Sequence, residues 1–396
     1  MRLDSLATDG LPALRRALRA LCVVAIGLQV AAAHADSRTQ AKRLHDRIAG
    51  VPPSAAVLDA MAADIAQGRP ADAAYTAMQN RGFYDVTLKN FAMPWTNRDQ
   101  TVFAPLNDYV ATVIGMVRDD VPFDHVLYDD ILYVGRSGSG VPAYSPASND
   151  HYAALEAQGV NLKDALVKTT QSSVNGLPPE ATAGVMTSRA AAQAFLIAGT
   201  NRAMFRFTLV NHLCRDLELV SDTTRPPDRV RQDVSRSPGG DSRLYLNNCV
   251  GCHAGMDPLV QAFAYHDWDE AAGRLIYTAG VVRPKYFNNK DTFPAGYSTP
   301  DDHWDNYWRN GRNALLGWDA SSPGTGQGPK SLGRELSHTD AFAGCQVQKV
   351  FRAVCFRDPS DAQDRAKVQA MTGSFKAGGY QLKRVFAEAA TYCMGD

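Results

Sequence analysis

The 396-residue sequence has no excess of charge of either sign: Lys plus Arg and Asp plus Glu number 41 each. That balance excludes the basic footprint of a nucleic-acid binder and the acidic surplus of a solvating disordered chain. Beyond the first few tens of residues no stretch reaches 18 apolar residues, so no transmembrane anchor is expected there. There is no internal repeat, no low-complexity tract, no HExxH, no phosphate-cradling glycine loop and no nucleophilic triad signature. What is present is ordinary globular material, 45% hydrophobic and 21% charged. It suffices for a buried core in two domains or one large one.

The N-terminus has a pattern of its own. Arg15, Arg16 and Arg19 precede an apolar run from Leu21 to Ala33, and small residues follow at Ala33 and Ala35. A positive end, a short apolar stretch and a small-residue cleavage site are the plan of a secretory signal peptide over residues 1–35. The run is too short to span a bilayer of about 30 Å. Its removal takes four basic and two acidic residues of the 41 of each, leaving 37 against 39. Export to a periplasmic or secreted location permits disulfides. Cys214, Cys345, Cys355 and Cys393 are an even set allowing three pairings. At least one bridge is expected, either among the three C-terminal cysteines or from Cys214 to one of them.

The chain reads as mainly α. A polar helix follows Asp36 and ends near Gly50. Ser54 is placed to cap a second that runs to Gly68, and 70–82 suits a third. Leu106, Tyr109, Val110, Val113, Ile114 and Val117 fall on one stripe of a helix. Residues 187–219 read as two helices broken near Gly199, and helices are expected around 333–357, 361–371 and 380–392. The stretch 222–243 is polar and rich in proline and arginine, the signature of a connecting segment. Expected domains are therefore an N-terminal helical region over 36–221 and a second domain over 244–396. The irregular stretch 279–330, with Trp304, Trp308 and Trp318, is too aromatic to be unstructured and is expected to fold over something.

The chemistry concentrates in NNCVGCHAGMDPL, Asn247 to Leu259. Two thiols separated by two residues on a helical turn can reach the two vinyl groups of a haem. A histidine directly after the second thiol lies under the iron as proximal ligand. Cys249, Cys252 and His253 meet all three requirements. A zinc finger needs a second ligand pair. His266 is suitably spaced, but residues 270–272 are Glu, Ala and Ala, and no second C-x-x-C exists. A thioredoxin-like dithiol would sit in a βαβ context that is not visible.

With its continuation, the motif resembles a large family of secreted cytochrome-c-like mono-haem proteins, largely uncharacterised, whose haem segment commonly reads C-x-x-C-H-x-x-M-D-P-L-G-F-A-L-E-N-F-D. Cys249, Cys252, His253, Met256, Asp257, Pro258, Leu259, Ala262 and Asp267 match; Val260, Tyr265 and His266 depart. The likeness extends over roughly 185–396, through the HLC of His212–Cys214 and the stretch LGRELSHTDAFAGCQVQKVFRAVCFR. It implies an exported helical protein with a cytochrome-c-like haem domain, long irregular loops and one covalent haem c. It brings no substrate with it.

The second axial ligand decides the chemistry. A distal Met gives six-coordinate iron suited to electron transfer; an open site admits peroxide or oxygen. Met256 follows His253 too closely to cross the ring and is expected to pack. No Met lies between Met256 and Met371. Met371 is the first distal candidate, His338 the second and His303 the third, with Met394, Met204 and Met186 behind them. His266 is expected on the helix after the motif as a structural hydrogen-bonder. Arg225, Arg229, Arg231, Arg236 and Arg243 are read as a solvated loop, with propionate pairing or docking of an acidic redox partner as the alternative. The expected function is a c-type cytochrome passing single electrons to a partner protein. The alternative is a peroxidase- or oxygenase-like haem enzyme with an open distal face, although the di-haem peroxidases carry two C-x-x-C-H motifs and this chain has one.

Overall fold

The computed structural model describes residues 36–138, 140–197, 199–230, 242–287 and 297–395. The leader, Arg231 and Arg236 lie outside them. The protein is mainly α. The first helices start and stop where their caps dictate. α1 (Ser37–Ala49) opens on Asp36, whose carboxylate accepts from Thr39 N, and closes on Gly50 at φ 68°. α2 (Ala55–Ala66) opens on Ser54, whose hydroxyl accepts from Val57 N. α3 (Pro70–Ala77) uses Pro70 in its first turn, where a missing N–H costs nothing.

α4 (Asp108–Arg118) corrects the expectation of a one-sided helix. Every residue from Asp108 to Val117 is buried, so α4 is a central rod with neighbours all round. Its least bulky position is used for contact: a Cβ on Gly115 would lie 2.1 Å from the Tyr133 ring. Tyr133 belongs to β1 (Leu132–Gly135), which pairs antiparallel with β2 (Leu166–Thr169). The expected break near Gly199 is there, between α5 (Arg189–Phe195) and α6 (Arg202–Thr208), with Gly199 at φ 83°.

The motif lies on α7 (Val250–Val260). Two short hairpins follow it: β3 (His266–Asp269) with β4 (Arg274–Tyr277), and β5 (His303–Asp305) with β6 (Thr325–Gln327). The helix expected over 333–357 is two, α8 (Gly328–Ser337) and α9 (Asp340–Cys355), broken at His338, with Thr339 capping α9 through Phe342 N. α10 (Ala362–Ala377) and α11 (Leu382–Cys393) close the chain.

α11 packs on α1 and α3 as well as on α9. A single cluster of buried apolar residues runs from Ala41 to Ala390. Among the described residues the apolar interior therefore does not divide at 222–243, where composition suggested a boundary. Both ends of the chain contribute to the same core, and two disulfides brace it. Cys214–Cys345 ties the end of the helical run after α6 to α9, with Cα atoms 5.3 Å apart. Cys355–Cys393 ties α9 to α11 at 5.5 Å. The bridges are those of a chain that folds in an oxidising compartment. Among the described residues no helix is long and apolar enough to cross a membrane.

Candidate functional site

The helical turn Tyr245–Cys249 runs directly into α7, so Cys249, Cys252 and His253 stand on one continuous helical path. Positions i and i+3 lie on one face, which puts both sulfurs on the same side of the helix, with His253 one turn on from Cys249. Both thiols are unbridged and partly exposed, whereas the other four described cysteines are paired. The Cys252 thiol sits against the turn Leu217–Val220, 3.5 Å from the Leu217 carbonyl oxygen. Burial raises its pKa.

α7 is held in place by close approach of its backbone to other segments. A Cβ on Gly251 would lie 2.3 Å from Ser221 Oγ, and Asp222 N donates to Gly251 O at 2.8 Å. A Cβ on Gly255 would lie 1.8 Å from Trp308 Nε1. The two glycines of the motif thus admit the 217–222 turn and the Trp308 indole. Of the irregular stretch expected to fold over something, β5 and the turn carrying Trp308 pack on this helix. Trp318 Nε1 donates to the Trp308 carbonyl at 3.0 Å, and Trp304 Nε1 to Ser331 Oγ at 2.8 Å. Glu335, buried, receives Arg309 on both oxygens at 2.8 Å and Asn306 Nδ2 at 2.8 Å.

His253 Nδ1 lies 3.1 Å from Asp257 Oδ1. Asp257 is fully buried and accepts from Arg202 on both oxygens, Nε at 3.0 Å and Nη2 at 3.3 Å. The carboxylate fixes the ring: Nδ1 carries the proton and donates it to Asp257, which leaves the Nε2 lone pair for a metal. The sequence contained half of this arrangement, because His253 and Asp257 are four apart on a helix. Arg202, 55 residues from Asp257 in the chain, gave no signal.

Around the thiols lie features that a bound apolar group with a polar edge would satisfy. The Tyr245 hydroxyl and Trp308 Nε1 are buried without a hydrogen-bond partner among the described residues. Burial pushes the Tyr245 hydroxyl pKa up to about 12. Leu219, Leu244 and Leu246 are exposed by 58%, 42% and 59%, all within a few residues of the motif or of the turn against Cys252. Among the described residues no group of three His, Cys, Asp or Glu side chains could hold a bare metal ion. The residues fit a covalent haem: two free thiols, one oriented imidazole and an apolar surround.

The distal candidates are placed elsewhere. Met371 is fully buried on α10, which packs against α9 and α11. His338 has Nε2 3.3 Å from Asp124 Oδ2, with Tyr128 edge-on to its ring. Neither α10 nor α8 is among the principal packing partners of α7. His303 in β5 is partly exposed beside Asp305 and Thr325. Met204 and Met186 are core residues, and Met394 packs against the core from the chain end. Met256 packs, as expected, at 2% exposure. His266 opens β3 instead of lying on a helix, because the helical path ends at Phe263. Its ring is fully buried, Nε2–H donates to the Ala181 carbonyl at 2.9 Å, and burial lowers its pKa to about 4. Arg225 pairs with Asp222 and Arg229 with Asp305, so these two arginines are engaged within the protein.

No family model matches this chain, and neither the curated proteins nor the solved structures provide a match.

Proposed function

We propose that this chain is an exported c-type cytochrome that carries one covalent haem on Cys249 and Cys252, with His253 as proximal ligand, and passes single electrons to a partner protein. The observation that carries the reading is the pairing of two unbridged thiols with an imidazole whose Nδ1 is locked by a buried carboxylate. In a chain that closes its other four described cysteines into bridges, a free C-x-x-C pair is what haem attachment uses. The haem supplies the one-electron chemistry. The protein's part is to hold the thiols on one helix face, to aim Nε2 and to keep water from the proximal side with Trp308 and Met256.

The test is direct. The wild-type chain, made with a haem-attachment pathway, retains haem through denaturing electrophoresis, and Cys249→Ala with Cys252→Ala loses it. A double variant that keeps covalent haem would sink the reading.

One observation favours the haem-enzyme alternative. The Asp257 carboxylate on His253 Nδ1 would make the imidazole a stronger donor to a haem iron held there, and such a haem would supply peroxide chemistry more readily. Low-spin ferric iron inert to peroxide supports the carrier. High-spin iron that reacts within seconds supports the enzyme.

A further inference from the structure

Away from the motif, two adjoining clefts lie between the 91–100 segment and α9. One, of about 400 Å3, is lined by Cys214, Arg215, Asp216, Lys349 and Arg352 among others. The second, of about 320 Å3, is lined by Phe91, Pro94, Trp95 and again Lys349 and Arg352. The shared residues make them one groove, apolar at one end and charged at the other.

The charges in the groove do not balance. Arg352 pairs with Asp358, and Asp216 with Arg206. Arg215 donates to the Cys214 carbonyl and has no ion-pair partner among the described residues. Lys349 stands over the Trp95 ring, 4.5 Å from its centroid, also without a hydrogen-bond or ion-pair partner among the described residues. Lys349 is half-buried, and an ammonium partly withdrawn from water without a counter-charge either attracts an anion or releases its proton more readily. Burial, with the Arg352 charge adding, pushes the Lys349 pKa down to about 7. Below it, His212 is buried and held neutral, its ring bonded to the Tyr109 hydroxyl at 2.7 Å. At the rim Gln100 adopts a left-handed backbone, φ 50°, and reaches Asn211 Oδ1 at 3.2 Å. Such a conformation in a non-glycine residue costs roughly 1 kcal/mol or more and clusters at binding sites.

We propose that this groove binds a small organic carboxylate with a planar apolar body, its acid group meeting Lys349 and Arg352 and its body lying along Phe91 and Pro94. The ligand supplies the missing counter-charge, and the ammonium stays cationic between the carboxylate and the Trp95 face. The groups facing the lysine set the expected pH behaviour. Arg352 and Arg215 are cationic throughout, Asp216 is anionic but engaged by Arg206, and His212 is neutral. Burial lowers the Lys349 pKa, so binding of an anion beside it should take up protons above neutrality. The inference does not depend on the haem.

Calorimetry on the full chain with benzoate, phenylacetate, benzyl alcohol and inorganic phosphate tests it, each run in two buffers of different ionisation enthalpy. We expect the aromatic acids to bind at least tenfold more tightly than benzyl alcohol or phosphate, with proton uptake at pH 8 that falls towards pH 6. Lys349→Met should weaken benzoate at least tenfold and abolish the uptake. Arg352→Gln, at an exposed position, should weaken it several-fold without altering the circular dichroism. Benzoate binding no tighter than benzyl alcohol or phosphate overturns the proposal. So does unchanged affinity in a folded Lys349→Met. Should that variant not fold, unchanged affinity in Arg352→Gln together with no proton uptake by the wild type overturns it equally.

Discussion

The helices at the two chain ends and the helix that carries the motif are built on opposite principles. α1, α3, α9 and α11 pack apolar faces together, and a disulfide closes α9 onto α11. Around α7, by contrast, two thiols are unbridged and the nearby Leu219, Leu244 and Leu246 stand in solvent. Free thiols and exposed leucines gathered about one helix leave room for an added group, and the closed helical frame supplies the stability that makes such a region tolerable.

Breaking the comparison on the motif side gives the largest expected effect, complete loss of covalent haem in the Cys249→Ala, Cys252→Ala protein. On the frame side the bridges are the strong points. Replacing Cys214 and Cys345 by serine opens a loop 131 residues apart, and replacing Cys355 and Cys393 opens one of 38. The chain-entropy relation gives losses of about 5 and about 4 kcal/mol respectively. Denaturant titration should rank the longer loop first, and a reversed order would show that entropy of the unfolded chain is not the controlling factor.

The third test lies between the regions. Asp257→Asn leaves Arg202 without its carboxylate next to a fully buried site, at a cost of about 3 kcal/mol. The same change makes His253 a weaker donor, so the midpoint potential should move up in a redox titration. A stability loss with no change in potential would leave Asp257 as an ion-pair partner of Arg202 alone.

Acid should affect the packed interior before it affects the surface. His266 has its pKa lowered to about 4 by burial, from an ordinary value near 6.5. Between those two values the unfolded chain binds a proton that the folded chain refuses. Stability therefore falls as pH drops through that window, by at most about 1.4 kcal/mol per pH unit for this residue. His212, also pushed well below its ordinary value by burial, adds to the slope. Chemical denaturation at a series of pH values reads the slope, and His266→Gln should flatten it.

The smallest effect separates two glycines. Gly344→Ala on α9 meets nothing within 4 Å and should stabilise by roughly 0.5–1 kcal/mol through helix propensity. Gly255→Ala has the same propensity gain but drives a methyl into Trp308, and should cost about 1–3 kcal/mol. Thermal melts of the two single variants should shift in opposite directions.

Local chemistry was readable from sequence wherever it acts over a few residues. Asp36, Ser54 and Gly50 are caps whose geometry involves their own next turn, and the helices begin and end there. The spacing of Cys249, Cys252 and His253 is likewise a property of one helical turn. What was not readable depends on partners distant in the chain. Nothing near Asp257 announces Arg202, and nothing near Lys349 announces Trp95. α4 looked one-sided because Thr112 and Gly115 do not register as apolar, yet both are buried against Tyr133. The proline-rich segment suggested a domain border because composition reports local flexibility, whereas the core that crosses it is a matter of which helices meet.

The Cys214–Cys345 bridge encloses Cys249 and Cys252 in the loop it closes. That placement imposes an order on biosynthesis. Six thiols emerging together into an oxidising compartment can pair completely in 15 ways, none of which leaves the motif pair free, and the other four can close two bonds in three ways, of which this protein has one. The two inner thiols are the closest in sequence and so the quickest to oxidise to each other. On the proposed reading, maturation would either cap those two sulfurs early with haem or hold them reduced while the outer bonds form. A host that supplies oxidant without such protection will accumulate a folded-looking product whose reactive pair is already spent.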